Sequence, residues 1–139
     1  MDSKLYAIDA VTGKMRWLFR SGDTMFSSPA VVSGIVYVGC RDENLYAIDA
    51  ATGKEKWKFQ TGHYVTSSPA VSNGVVYVGS NDNNLYAIDS ATGKEKWRFE
   101  TKIRKKIFGS SPVVMNGVVY FGSGDNNLYA IGRNDAIHL

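Results

Sequence analysis

Acidic and amide side chains recur in short segments of this 139-residue chain and are its first candidates for chemistry. The run Asp-Asn-Asn-Leu occupies 82–85 and 125–128, and the variant Asp-Glu-Asn-Leu occupies 42–45. A calcium loop needs several carboxylates and a bidentate Glu at wider spacing. Asn and Asp also tolerate the left-handed backbone of tight turns. The pattern therefore favours a hairpin turn over a calcium site.

A second candidate is the basic segment "TKIRKKIFG", in which cations alternate with apolar residues. Its cations are Lys102, Arg104, Lys105 and Lys106. The whole chain has a net charge of +3, and without these four residues it would be −1, so the basicity is local. The segment predicts a binding loop for an anionic partner, such as nucleic acid or a membrane surface. The alternative is a solvated connector whose apolar residues fold back.

The remaining reactive side chains are isolated. His63 and His138 lie far from each other in sequence and have no metal-site spacing. Cys40 is the single cysteine, which excludes an intrachain disulfide. It occupies the position of Ser80 and Ser123 in the other copies, so we interpret it as a small residue at a strand end.

An internal repeat organises the whole chain. Trp17, Trp57 and Trp97 are separated by 40 residues, and Ser-Ser-Pro triplets begin at Ser27, Ser67 and Ser110. Residues 27–66 and 67–106 are identical at 26 of 40 positions. A period of this length with such identity indicates copies of one structural unit.

Each unit contains four short runs with strand chemistry: "SSPAV", "GVVYVGS", "NLYAID" and "KEKWRFET". We name these strands A, B, C and D. Turn signals rich in Asn, Asp and Gly separate them, and no run has the length or caps of a helix. Four antiparallel strands per 40 residues predict an all-β fold, a β-propeller. The predicted divisions are a partial blade 1–26, blades 27–66 and 67–109, and a final blade or part-blade 110–139.

The stretch from Gly74 to Thr101, "GVVYVGSNDNNLYAIDSATGKEKWRFET", resembles the PQQ-like repeat of the quinoprotein alcohol dehydrogenase type of propeller. The resemblance implies that the tryptophan of strand D packs on the neighbouring blade, a role that falls on Trp17, Trp57 and Trp97. The Thr-Gly sequence of the C–D hairpin independently predicts a positive φ angle at Gly13, Gly53 and Gly93.

The resemblance also raises the possibility of pyrroloquinoline quinone and calcium in a central channel. The quinone dehydrogenases of the family use eight blades, a disulfide of adjacent cysteines and a catalytic carboxylate outside the repeat pattern. This chain has one cysteine, and its carboxylates belong to repeated turns or alternating strand faces. We therefore predict a protein that is not an enzyme and uses neither pyrroloquinoline quinone nor calcium.

The strand pattern reads C-D, A-B-C-D, A-B-C-D, A-B-C, which is thirteen strands. A closed propeller has four to eight blades, so three to three and a half blades predict an incomplete ring. The first C-D pair and the last A-B pair are complementary halves of one blade, which predicts a head-to-tail homo-oligomer, with a six-bladed dimer favoured. If residues 135–139 supply a fourteenth strand, a dimer would reach seven blades. The rival interpretation is a piece of a longer propeller of seven or eight blades.

The function expected from these features is a non-catalytic scaffold or binding module. The alternatives are a quinone- or sugar-binding fragment of an enzyme, a fragment of a sensor or assembly factor, and a natural or engineered propeller fragment without a cellular ligand. The apolar runs are too short to span a bilayer. No leader-like segment opens the sequence, so a cytoplasmic location is expected if the chain is complete.

Overall fold

The fold is seen in a computed structural model, which describes residues 2–101 and 110–132 and the backbone of 136–138. Every regular element in this part of the chain is a β-strand. The first two strands, β1 (Lys4–Ile8) and β2 (Met15–Arg20), form a two-stranded antiparallel sheet. They are strands C and D of a half-blade without A and B partners among the described residues.

Three four-stranded antiparallel sheets follow, and in each the strands pair in chain order. The strands of the first full blade are β3 (Ala30–Val32), β4 (Ile35–Gly39), β5 (Asn44–Asp49) and β6 (Glu55–Gln60). Those of the second are β7 (Ala70–Ser72), β8 (Val75–Gly79), β9 (Asn84–Asp89) and β10 (Glu95–Glu100). Those of the third are β11 (Val113–Met115), β12 (Val118–Gly122), β13 (Leu128–Ile131) and β14 (Ala136–His138).

The fold class predicted from the repeat is confirmed: the chain is an open, incomplete β-propeller. The strand count of thirteen was wrong, and the alternative of a fourteenth strand within residues 135–139 is confirmed, because Ala136–His138 pairs with β13. Its sequence, "AIH", lacks the Lys-x-Trp-x-Phe signature of strand D, so only the backbone pairing identifies it.

Tight turns set the register within each blade. Each A–B turn has two consecutive residues with positive φ, as at Ser33 and Gly34. This is the geometry that matches the twist of a two-residue hairpin. The B–C turns also contain a positive-φ residue, Asn83 in the second blade, so the turn interpretation of the Asp-Asn-Asn-Leu segments is confirmed.

The hydrophobic core lies between blades rather than inside one. Leu45 and Ala47 of the first full blade pack with Val76 and Val78 of the second. Strand C alternates its faces, so its Leu side contacts the following blade and its Tyr side the preceding one. A blade therefore needs a neighbour on each side to bury its strand C.

Candidate functional site at the blade junctions

The three tryptophans lie at equivalent positions of strand D. Trp17, Trp57 and Trp97 each pair with an alanine of strand C, respectively Ala7, Ala47 and Ala87. Trp17 Nε1 donates to the carbonyl oxygen of Ala50 at 2.9 Å, and Trp57 Nε1 donates to that of Ser90 at 2.9 Å. Both acceptors lie in the C–D turn of the next blade, so each indole crosses a blade junction.

The glycine of that turn lies directly under the indole. Gly53 and Gly93 have φ of 75° and 73°. A Cβ built on either glycine would come within 2.7 Å of the ring of Trp17 or Trp57. The turn thus requires glycine for its backbone and for the space that the indole occupies.

Side-chain hydrogen bonds hold this turn in shape. Asp49 accepts hydrogen bonds from the backbone N–H groups of Ala51 and Thr52, and Thr52 Oγ1 accepts one from Lys54 N–H. The N–H of Thr52 stabilises the charged carboxylate and lowers the pKa of Asp49. Asp49 and Thr52 thus close the C–D turn. The positive φ predicted at the glycine of this turn is confirmed.

At the two ends of the arc the same junction is only half built. Trp97 is the most exposed of the three tryptophans, at 36%, and its indole N–H has no acceptor among the described residues. Gly13 has φ of 72°, like its counterparts, but a Cβ built there would meet nothing within 4 Å. Among the described residues, one end therefore presents an indole whose N–H has no acceptor, and the other presents a turn that no indole contacts. The contribution of these tryptophans and glycines to holding blades together stays a prediction.

Apolar residues at both ends are exposed although their counterparts inside the arc are buried. On β1, Tyr6 and Ile8 are 44% and 58% exposed, while Ile48 in the equivalent position is fully buried. On β13, Leu128 is 48% exposed, while Leu85 is fully buried. Identical residue types in identical strands differ only because a neighbouring blade is missing.

Sequence reasoning missed a second junction contact, made by the aspartate of the B–C turn. Asp82 Oδ2 accepts hydrogen bonds from the hydroxyl of Tyr86 and from the backbone N–H of Gly62, which precedes the blade. Asp82 Oδ1 accepts one from Asn84 N–H. Asp42 repeats the arrangement. The constant Asp–Tyr spacing of four residues was the available signal.

In the pair formed by Asp42 and Tyr46, the pKa values of both side chains are shifted. Burial alone would raise the pKa of Asp42, but the hydrogen bonds from Tyr46 and Gly22 outweigh it, and the net shift is downward. Burial and the neighbouring carboxylate raise the pKa of Tyr46 well above its usual range. The aspartate oxygens are fully engaged within the chain, so these residues do not fit a calcium site. The prediction that the protein uses neither pyrroloquinoline quinone nor calcium stays a prediction.

Within the described residues no group of three or more His, Cys, Asp or Glu side chains is placed to hold a metal ion. Cys40 is buried beside the half-blade, and burial raises the pKa of its thiol. His63 Nδ1 accepts a hydrogen bond from the backbone N–H of Tyr64. The side chain of His138 lies outside the described residues.

One face of the arc differs from blade to blade. It is formed by the B–C turns and the connectors between blades, and there the guanidinium of Arg41 lies 4.5 Å from the ring centre of Tyr64 and 5.7 Å from that of Phe26. Asn81 and Thr66 replace Arg41 and Phe26 in the next repeat. We name Phe26, Arg41 and Tyr64 the connector-face cluster.

The residues of the predicted anionic-partner loop, Lys102, Arg104, Lys105 and Lys106, lie outside the described part of the chain. The loop therefore stays a prediction, and it is wrong if the double variant K105E/K106E is retained on a polyanion column as strongly as the original chain. The described residues contain no helix long and apolar enough to cross a membrane.

Comparison with known proteins places this architecture in a class, the PQQ-like β-propellers. The sequence model of the family described as "Outer membrane protein assembly factor BamB" matches residues 1–68 and 62–139, so the chain belongs to this PQQ-like repeat family. No curated protein matches the chain.

Solved structures agree with the assignment. BamB from Moraxella catarrhalis is 25% identical, with a TM-score of 0.82 over 95% of this chain and 42% of that one. The quinohemoprotein alcohol dehydrogenase from Comamonas testosteroni is 29% identical, with a TM-score of 0.71 over 84% of this chain and 21% of that one. The computationally designed Ika8 protein, 17% identical with a TM-score of 0.83 over 95% of this chain and 41% of that one, shares the fold. The chain thus spans about two fifths or less of the length of these structures.

Proposed function

We propose that this chain is a non-catalytic propeller scaffold whose ring is completed by a second copy joined head to tail. In the assembled ring, the binding surface is the face that carries the connector-face cluster. The role is that of a module that presents loops to a partner rather than one that transforms a substrate.

The observation that carries the proposal is the complementary exposure of the two ends. Burying an aliphatic side chain contributes about 1.5–3 kcal/mol. Ile8 leaves that contribution unused in the isolated chain, although the same position in the inner blades is buried. An open strand edge is also a template for pairing with another chain. The indole of Trp97 at one end and the turn at Gly13 at the other are the two partners of the contact seen at the inner junctions.

The non-catalytic role is supported by how the polar groups are used. The aspartates repeated in the described blades accept hydrogen bonds from their own chain. Their role there is to stabilise turns and contacts between blades. The solved relatives include both dehydrogenases and BamB, so the family alone does not decide the matter. The binding role is supported by the connector-face cluster, because Arg41 and Phe26 depart from the residues of the next repeat and lie together with Tyr64.

The alternative is that further blades of a longer chain complete the ring, since the relatives are more than twice as long as this chain. Both versions bury the same ends, but only self-assembly makes the isolated chain oligomeric. The oligomeric state of the isolated chain therefore distinguishes the two versions.

The test compares two charge insertions in the half-blade. Ile8 and Val11 are both exposed in the single chain, at 58% and 95%. The counterpart of Ile8 is buried in the inner blades, whereas that of Val11, Ala51, is exposed in the C–D turn. We expect I8K to abolish self-association and V11K to leave it intact, as measured by sedimentation velocity.

A β-type circular dichroism spectrum of each variant serves as the folding control. If I8K associates as strongly as V11K, the half-blade is not the contact and the proposal is wrong. If the unmodified chain sediments as a folded monomer at high concentration, the longer-chain alternative replaces it.

A further inference from the structure

We propose that the ring closes by strand exchange, so that β1 and β2 of one copy replace β13 and β14 beside β12 of the other. This inference rests on the proposed self-assembly and specifies its contact. The result is a composite blade, with strands A and B from one chain and strands C and D from its partner. Two such junctions give six four-stranded blades, within the usual range of four to eight.

The first argument is that β1–β2 is the better C–D hairpin. Strands β1 and β13 share the sequence Leu-Tyr-Ala-Ile, so either can pair with β12 in the same register. After that sequence the two copies diverge. The half-blade keeps the turn-forming Asp9 and Gly13, while the C-terminal copy has Gly132 in place of Asp9. β2 has six residues and β14 has three.

The C-terminal copy also lacks the residue that crosses the junction. Ile137 pairs with Ala130 and so occupies the register position that Trp17 occupies opposite Ala7. A ring that closed on β14 would place isoleucine where every other junction has an indole. The exchange brings Trp17 into that position of the composite blade, where it already contacts the C–D turn of its own next blade.

The second argument is the match between Trp97 and Gly13. In the composite blade, the C–D turn that follows Trp97 is the turn at Gly13 of the partner subunit. That turn offers the open space and the carbonyl that the indole lacks among the described residues of its own chain. The exchange thus completes the third tryptophan–glycine contact with residues that are already in the required backbone conformation.

The third argument comes from the inner strands. Ser28 N–H donates to Ser68 Oγ at 2.8 Å, and Ser68 N–H donates to Ser111 Oγ at 3.0 Å. This series of hydrogen bonds runs from blade to blade. At its two ends, among the described residues, Ser28 Oγ accepts no backbone N–H of this kind and Ser111 N–H donates to no serine of this kind. In the exchanged ring, β11 lies next to the partner's first full blade, so Ser111 N–H meets the one remaining acceptor of the series.

The exchange also covers the open face of β1. Tyr129 packs on Phe99 of the preceding blade, with ring centres 5.4 Å apart. Tyr6 holds the equivalent place on β1, and its hydroxyl donates to Asp2 as Tyr129 donates to Asp125. When β1 takes the position of β13, Tyr6 becomes buried against Phe99.

Two cysteine pairs in the full chain test the exchange, with Cys40 replaced by serine, the residue found at position 80. Facing residues in antiparallel strands have Cα atoms about 4.5–5.5 Å apart, which a disulfide can bridge. Tyr120 faces Ala130 within the chain; after exchange it faces Ala7 of the partner. The first variant is therefore A7C/Y120C and the second is Y120C/A130C.

Under mild oxidation we expect A7C/Y120C to run as a covalent dimer on a non-reducing gel, while Y120C/A130C keeps free thiols. If the original chain is a dimer but Y120C/A130C closes an internal disulfide and A7C/Y120C does not cross-link, the exchange is wrong and self-assembly stands. If the chain is a folded monomer, both proposals fail.

A glycine pair provides an independent reading of the Trp97 contact. Gly13 and Gly117 have φ of 72° and 75°, and a Cβ on either meets nothing within 4 Å in the single chain. We expect G13A to weaken dimerisation at least about tenfold relative to G117A, because only its methyl group would displace an indole. Equal dissociation constants would contradict the contact.

Discussion

At the residue scale, one residue type has different consequences according to what the next blade supplies. Gly53 and Gly34 share a φ of 75°, but only Gly53 has an indole above it. Likewise Asp49 closes a turn locally, while Asp42 reaches a backbone N–H twenty residues earlier. A role in a local turn, such as that of Asp49, can be predicted from the neighbouring residues in the sequence. The role of Asp42 cannot, because its partner is brought close only by blade packing.

The glycines give the first prediction. Alanine at Gly34 adds only left-handed backbone strain, about 1–2 kcal/mol. Alanine at Gly53 adds the same strain and displaces the ring of Trp17, at a further cost of about 1–3 kcal/mol. Chemical denaturation of G53A and G34A should show this difference in the free energy of unfolding. Equal losses would mean that the indole does not depend on the turn.

The tyrosine–aspartate pair gives the second prediction. Because the pKa of Tyr46 is raised by burial and by Asp42, the folded protein retains this proton at a pH where the unfolded chain releases it. Its contribution to stability is therefore complete below about pH 10 and declines as the pH rises further.

Replacing Tyr46 with phenylalanine removes this titration. The free energy of unfolding of Y46F, measured from pH 8 to 11, should fall less steeply above pH 10 than that of the original chain. Identical slopes would show that the hydroxyl titrates alike in the folded and unfolded states.

At the element scale, strand A is short but connects the blades through its serines. The second and third Ser-Ser-Pro triplets each place a hydroxyl, that of Ser68 or Ser111, where it accepts a hydrogen bond from a backbone N–H of the preceding blade. The repeat predicted these strands and their order, because the apolar pattern and turn residues are local. It gave β14 only as an alternative, since Ala136–His138 has no strand D signature. The basic segment 102–106 is an element whose role remains a prediction.

The third prediction concerns this inner series of hydrogen bonds. In S68A the N–H of Ser28 loses its acceptor, which should lower the free energy of unfolding by about 1 kcal/mol. Ser72 is the last residue of β7, four positions after Ser68, and its hydroxyl makes no hydrogen bond to the described residues. S72A should therefore change stability by less than about 0.5 kcal/mol. Equal effects of the two substitutions would deny the serines a junction role.

At the scale of the whole molecule, the hydrophobic core lies between blades. An open arc therefore buries both faces of strand C only in its inner blades. The first and last described blades expose Tyr6, Ile8 and Leu128, whose inner counterparts are buried. The strand pattern predicted an incomplete ring and a head-to-tail closure by two complementary half-blades. It did not indicate whether β1–β2 or β13–β14 completes the shared blade. That choice depends on the contact between Trp97 and the turn at Gly13, which only the packing of blades makes visible.

The mass of the unmodified chain in solution tests the central claim most directly. Native mass spectrometry or light scattering should find a defined dimer, twice the chain mass of 15.3 kDa, with no higher series. A closed pair leaves no open end for further growth. A folded species of 15.3 kDa at micromolar concentration would contradict the claim that a second copy completes the ring.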